Sequence, residues 1–119
     1  LHNTSVGKAF LSTLSESELE QTIGQIYFHA KTKKTMVDKE QLLAEIEKTR
    51  NRGYAMNEEE YLPGLITIGA PLISPVTGKG IGAISFDFSI LQNSAEEVED
   101  KFAGLIIETA AAISERLQR

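Results

Sequence analysis

Apolar residues along this chain recur at helical spacing in some stretches and alternate in others, with capping patterns at the boundaries. Val6, Ala9, Phe10 and Leu14 predict a first helix that Asn3 or Thr4 is placed to cap. Ser15-x-x-Glu18 is a capping box, and Leu14 against Leu19 is the hydrophobic staple that accompanies one. The helix it opens is short and ends at Gly24. From Gln25 to Val37 periodicity is lost, and Lys31 to Lys34 reads as a solvated loop. Asp38 and Gln41 then form a second capping-box pattern. Leu42, Leu43 and Ile46 stripe the helix that follows, and Lys48, Arg50 and Arg52 load its negative end. Gly53 stands where a left-handed C-cap is expected.

Beyond Gly53 the period changes. Tyr54-Ala55-Met56 predicts a short strand, Glu58-Glu59-Glu60 an exposed acidic turn closed by Pro63-Gly64. Leu65 to Ile73 and Gly80 to Phe88 are rich in aliphatic and β-branched residues, and Ser74-Pro75-Val76-Thr77-Gly78-Lys79 supplies turn chemistry, so the pair predicts a β-hairpin. Alternation places Leu65, Thr67 and Gly69 on one face and Ile66, Ile68 and Ala70 on the other. In the second strand Ala83, Ser85 and Asp87 oppose Ile84, Phe86 and Phe88. Each strand therefore has a greasy face and a face of small or polar groups. The expectation is a sheet with helices packed on one side and room for a cavity on the other. A third box, Ser94-x-x-Glu97, opens a final helix. Val98, Phe102, Leu105, Ile106, Ile113 and Leu117 extend it over about 24 residues by periodicity. Gly104 and Ala110-Ala111-Ala112 smooth part of its surface for close packing.

At 119 residues the chain supports one domain, and 41% apolar with 24% charged residues suits a packed core. A net charge of -5 with scattered basic residues argues against a nucleic-acid contact surface in this segment. The absence of cysteine excludes disulfides, thiolate metal sites and cysteine nucleophiles. No apolar run approaches membrane length and no secretory signal is visible, so a cytoplasmic setting is expected. Catalytic machinery is sparse. His2 and His29 lack carboxylate companions at ligand spacing. Gly7-Lys8 departs from a P-loop, and Gly78-x-Gly80-x-x-Ala83 runs into a strand where a dinucleotide fingerprint would open a helix. No catalytic residue, cofactor or metal is expected, and the Glu58–Glu60 run reads as a solvated turn.

A helix ending Arg50-x-x-Gly53-Tyr54-Ala55, then acidic residues, then Gly64-Leu65 opening a strand, resembles the effector-binding domain of IclR-type transcriptional regulators. Leu1-His2-Asn3-Thr4-Ser5-Val6-Gly7-Lys8-Ala9 resembles that family's helix start. Ile68-Gly69-Ala70-Pro71-Leu72 and Gly82-Ala83-Ile84-Ser85 resemble two of its strands, and all four segments stand in the family's order. The resemblance implies an α/β (α+β) fold of GAF-like type, an antiparallel sheet with helices packed on it and a ligand cavity. It implies that residues 1–119 are an effector-binding domain entered partway, without the winged helix-turn-helix that would lie upstream. It further implies small-molecule sensing and oligomerisation, as a homodimer or homotetramer, in a regulator of which most relatives are repressors.

Carried onto this sequence, the family's ligand contacts fall on Ser5 and Val6 at the helix start and on Asn57 in the acidic turn. On the strands they fall on Leu65, Thr67, Ser85 and Asp87. The implied effector is an oxo-, hydroxy- or sugar acid, held by helix-start amides and by hydroxyls. Two positions depart from the family pattern: Asn57 replaces a common Asp, and Asp87 a common Ser. An inward Asp87 would favour a polyhydroxylated or amino-bearing ligand over a simple carboxylate. Strand pattern alone would make Thr67, Ser85 and Asp87 solvent-facing residues of a half-buried sheet. Two readings from other classes remain: a dimerisation or scaffold module with no ligand, and an enzyme drawing acid–base chemistry from Asp87, Glu58 or His29.

Overall fold

A computed structural model describes residues 4–26 and 38–117. Seven elements follow one another: α1 (Ser5–Leu11), α2 (Glu16–Gly24), α3 (Lys39–Arg52), β1 (Ala55–Glu58), β2 (Leu65–Ile73), β3 (Gly80–Ser89) and α4 (Ala95–Leu117). His2, Asn3, His29 and the expected loop at 31–34 lie outside the described residues.

Local capping chemistry sets the helix boundaries. Thr4 caps α1, its hydroxyl accepting from Gly7 N at 3.1 Å. The helix stops at Leu11, short of Leu14. Ser12 and Thr13 turn their hydroxyls back onto the carbonyls of Ala9 and Phe10, at 2.6 and 2.7 Å, a local bond that competes with helix continuation. Leu14 still packs with Leu19 in the core, as a staple should. Both bonds of the Ser15–Glu18 box form, as do both of the Ser94–Glu97 box. At Asp38 the cap is simpler than the expected box: its carboxylate accepts from Glu40 N at 2.7 Å. Arg50 does more than complement a helix dipole. It donates to the carbonyls of Ser12 and Leu14 at 3.0 and 2.8 Å, tying α3 to the α1–α2 corner.

Gly53 ends α3 in the left-handed region at φ 91°, with its N–H on Thr49 O at 2.8 Å. Beyond it, Tyr54 lies under the Arg52 guanidinium, 4.4 Å from ring centroid to Cζ, and donates to Glu99 at 2.7 Å. Burial and then the Glu99 carboxylate push the Tyr54 phenol above its ordinary value. These contacts join α3, β1 and α4.

The sheet is antiparallel in the order β1-β2-β3. Its register aligns Asn57 with Thr67 and Thr67 with Asp87, and beside them Ala55 with Gly69 and Gly69 with Ser85. Pro71 sits in the central strand, an unusual place for a residue without an amide proton. It is tolerated because β1 pairs only with Ile66 to Gly69, so among the described residues the strand at Pro71 has β3 alone as a neighbour.

Two apolar clusters form. Ile66, Ile68, Ala70 and Leu72 of β2 bury against Val98, Ile106 and Ala110 of α4, flanked by Phe86, Phe88 and Phe102. The Phe88 and Phe102 rings stand 4.7 Å apart. Each fully buried aliphatic side chain here contributes about 1.5–3 kcal/mol relative to exposure. The second cluster, Leu11, Leu19, Ile23, Leu42 and Ile46, knits α1, α2 and α3 together on the opposite side. The expected arrangement of helices on one side and cavity on the other is thus corrected. Helices cover both faces, because the face of small residues accepts the direct approach of α1.

Gly53→Val should lower stability by roughly 1 kcal/mol or more through left-handed strain, since the nearest atom to an added Cβ, Ile107 Cδ1 at 3.4 Å, leaves it room. An unchanged urea midpoint would refute this. The Ser94 backbone N–H, then its hydroxyl, hold the exposed Glu97 carboxyl below its ordinary 4.5. A lowered carboxyl stabilises the fold above the unfolded value and loses that effect as pH falls through the folded one. Thermal melts of Glu97→Gln should therefore show a shallower acid loss below about pH 4.5 than the parent.

Candidate ligand site

The cross-strand row Asn57–Thr67–Asp87 lies on the face that α1 covers. Gly69 permits that approach: a Cβ there would meet the Ser5 carbonyl carbon and oxygen at 2.9 Å and the Ser5 hydroxyl at 3.0 Å. With α1 so close, the Thr67 hydroxyl donates to Ser5 Oγ at 2.6 Å in a buried bond. On the neighbouring strand Ser85 donates to Asp87 Oδ1 at 3.1 Å. Asn57 Oδ1 accepts from Glu60 N at 3.0 Å and shapes the β1–β2 connection. Glu59, next to Glu60 in that connection, takes a positive φ of 59°, uncommon outside glycine.

These groups enclose a cavity of about 180 Å³ lined by Thr4, Ser5, Val6, Asn57, Tyr61, Leu65, Thr67, Ser85 and Asp87. All seven residues expected at an effector site, Ser5, Val6, Asn57, Leu65, Thr67, Ser85 and Asp87, line this one space. They come from α1, β1, β2 and β3, so four separate elements converge on it. Their exposure is uneven. Ser5, Asn57 and Thr67 are buried at 2%, 3% and 7%, whereas Ser85 and Asp87 are exposed. The plain expectation of solvent-facing strand residues holds for the last two and fails for Thr67, which α1 covers.

Tyr61 and Thr4 were not among the expected lining residues. Thr4 was legible only as a cap. Tyr61 lies in the connection between β1 and β2, where alternation assigns no face.

The exposed acidic turn expected at Glu58–Glu60 needs correction. Glu58 is exposed, but Glu60 is buried, and its carboxylate meets the fully buried Lys8 ammonium at 2.6 Å. Lys8 also donates to Met56 O at 3.1 Å. The bond crosses 52 positions of sequence, which is why a run of three glutamates looked uniformly solvated. Burial pushes the Glu60 carboxyl above its ordinary value, against the pull of Lys8. The pair fastens the connection that carries Tyr61 to the helix that carries Ser5.

A larger depression of about 540 Å³ lies across the sheet, between the end of β2 and α4, lined by Ala70, Pro71, Ile73, Ile107 and Ala110 among others. It is mostly apolar, and the Ser114 hydroxyl at its wall is occupied by Ile73 N and Ala110 O. The smaller cavity is the better site, because polar groups converge there. Among the described residues no group of three or more acidic or histidine side chains is placed to hold a metal ion. None of the described helices is long and apolar enough to cross a membrane.

Residues 1–115 match the family model described as the C-terminal region of the bacterial transcriptional regulator IclR. The chain belongs to that family. It is similar to the HTH-type transcriptional repressor AllR of Escherichia coli K12, with 34% identity over 120 residues, covering 98% of this chain and 42% of AllR. The chain thus spans less than half the length of that relative. Among solved structures it resembles the C-terminal domain of E. coli KdgR, at 25% identity and a TM-score of 0.87, covering 99% of this chain and 71% of that one. It also shares its fold with a double mutant of the PobR inducer-binding domain from Acinetobacter in complex with 3-hydroxybenzoic acid. That match has 24% identity and a TM-score of 0.84, covering 99% of this chain and 66% of that one.

Removing one partner of the buried ion pair leaves the other uncompensated. Lys8→Met and Glu60→Gln should each cost roughly 3 kcal/mol, and the double variant should recover most of that loss. Urea unfolding of the four proteins checks it; additive losses would show that the two side chains are not coupled.

Proposed function

We propose that this domain senses a small metabolite in the 180 Å³ cavity and transmits its occupancy to the DNA-binding part of an IclR-family regulator. The observation that carries the reading is the convergence of Ser5, Val6, Asn57, Leu65, Thr67, Ser85 and Asp87, from four elements, on that single cavity. A ligand there would touch α1, β1, β2 and β3 at once, so its binding would bias how those elements sit relative to one another. The PobR domain, which has the same fold, is an inducer-binding domain, and AllR is a repressor; both are consistent with a sensing role. The effector class that family membership favours is an oxo-, hydroxy- or sugar acid. The fold leaves Leu105, Ile107 and Leu117 exposed on α4, which supports a homo-oligomer packed through that helix. An enzyme drawing acid–base chemistry from Asp87 or Glu58 is the weaker reading, because the family to which the chain belongs is one of transcriptional regulators.

The test is a thermal-shift screen of the full-length protein against metabolic, sugar, amino and aromatic acids. A ligand that binds only the folded state stabilises it by about 2.7 kcal/mol at a hundred-fold excess over Kd. One chemical class should raise the melting temperature. Ser85→Ala, at an exposed position, should weaken that ligand about five-fold or more through a lost hydrogen bond, with little change in the unliganded melting temperature. Thr67→Val should weaken it as much while also lowering that temperature, because it strands the buried Ser5 hydroxyl. No shift across the panel would point to an oligomerisation module instead, and unchanged affinity in both variants would remove Thr67 and Ser85 from the site.

A further inference from the structure

We propose that Asp87 is the specificity-determining residue of the cavity, and that the occupant presents hydrogen-bond donors to it: an ammonium or neighbouring hydroxyls. This rests on the sensing role proposed above and narrows its ligand. Among the nine described residues lining the space, Asp87 is the one with an acidic or basic side chain of the Asp, Glu, Lys or Arg type. The nearest buried cation on α1, the Lys8 ammonium, is turned away from the cavity and engaged by Glu60 and Met56 O. A ligand whose sole polar group is a carboxylate therefore enters a half-open space holding a like charge, with no basic side chain among the described lining residues to offset it. Water around the exposed Asp87 screens this repulsion, so it lowers the affinity of such a ligand modestly and leaves the larger part of the discrimination to hydrogen bonds.

Hydrogen-bond inventory leads to the same class. The Thr67 proton is given to Ser5 Oγ and the Ser85 proton to Asp87 Oδ1. Two of the hydroxyls are thus already committed as donors within the wall. Ser85 is the sole hydrogen-bond donor to Asp87 among the described residues, so a carboxylate with up to about four acceptor sites keeps most of its capacity for a ligand. The register fixes its position, since Asp87 stands directly across from Thr67 in the floor of the site. Asp87 is exposed to water in the unliganded site. Replacing that hydration calls for donors, and hydroxyls or an ammonium supply them. A volume of about 180 Å³ is small for a ligand site and suits a small metabolite.

Three size-matched probes separate the possibilities: propionate, with a carboxylate alone; glycerate, which adds two hydroxyls; and β-alanine, which adds an ammonium. Calorimetric titration of the full-length protein should show glycerate or β-alanine binding at least about ten-fold tighter than propionate. Asp87→Ser should shrink that preference to about two-fold or less by raising propionate affinity and lowering that of the donor-bearing probe. Equal binding of propionate in the parent, or an undiminished preference in Asp87→Ser, overturns the assignment while leaving the sensing role intact. Failure of all three to bind also overturns it. The sensing role then stands or falls separately, on whether an oxo or aromatic acid in the wider screen binds and loses affinity in Thr67→Val.

Discussion

The structure depends on a missing side chain. At Gly69 the central strand has no Cβ, and the start of α1 occupies the space one would fill, with its backbone 2.9 Å from that position. Any larger residue would push α1 outward. The Ser5–Thr67 bond at 2.6 Å would then open, Lys8 would lose its reach to Met56 O and Glu60, and the wall between α1 and the sheet would part. One glycine thus fixes the spacing of a helix, a buried ion pair and a cavity.

The two faces of the sheet solve different problems. The face toward α4 is aliphatic and aromatic, and packing holds it without direction. The other face carries Thr67, Gly69, Ser85 and Asp87, which offer little apolar area. Its helix is held by directional contacts instead: Thr67 to Ser5, Lys8 to Glu60, and Arg50 to the corner after α1. Buried polar contacts of this kind add modest net stability but penalise alternative placements, since a mismatch strands a buried charge. That division is suited to a site: rigid packing behind, and directional bonds where a ligand's polar groups would compete.

Much of this was legible in the chain. Ser15, Ser94, Thr4 and Gly53 mark helix ends through bonds that span a few residues, so spacing alone reveals them. Alternation gave the correct faces for β2 and β3, and family resemblance named cavity residues that the fold does bring together. The failures share a physical cause. Lys8 and Glu60 meet across 52 positions, Tyr61 lies in a connection without periodicity, and Thr67 is covered by a helix whose approach depends on Gly69. None of these follows from a local pattern. At Asp38 the expected helix start holds with a simpler cap than the expected box, whereas near Leu14 side-chain bonds to nearby backbone end α1 earlier than its apolar spacing suggests.

Pro71 has a consequence for how copies of this protein behave when crowded. Where β1 has ended, the flank of the central strand would ordinarily offer a row of amide donors and carbonyls, a template on which a stray strand from a neighbour could zip. A proline in that row removes a donor and stiffens the chain, which makes the flank a poor seed for edge-to-edge aggregation. A molecule that meets the sheet along this side finds an interrupted ladder, so side-chain shape weighs more in its recognition than backbone pairing does.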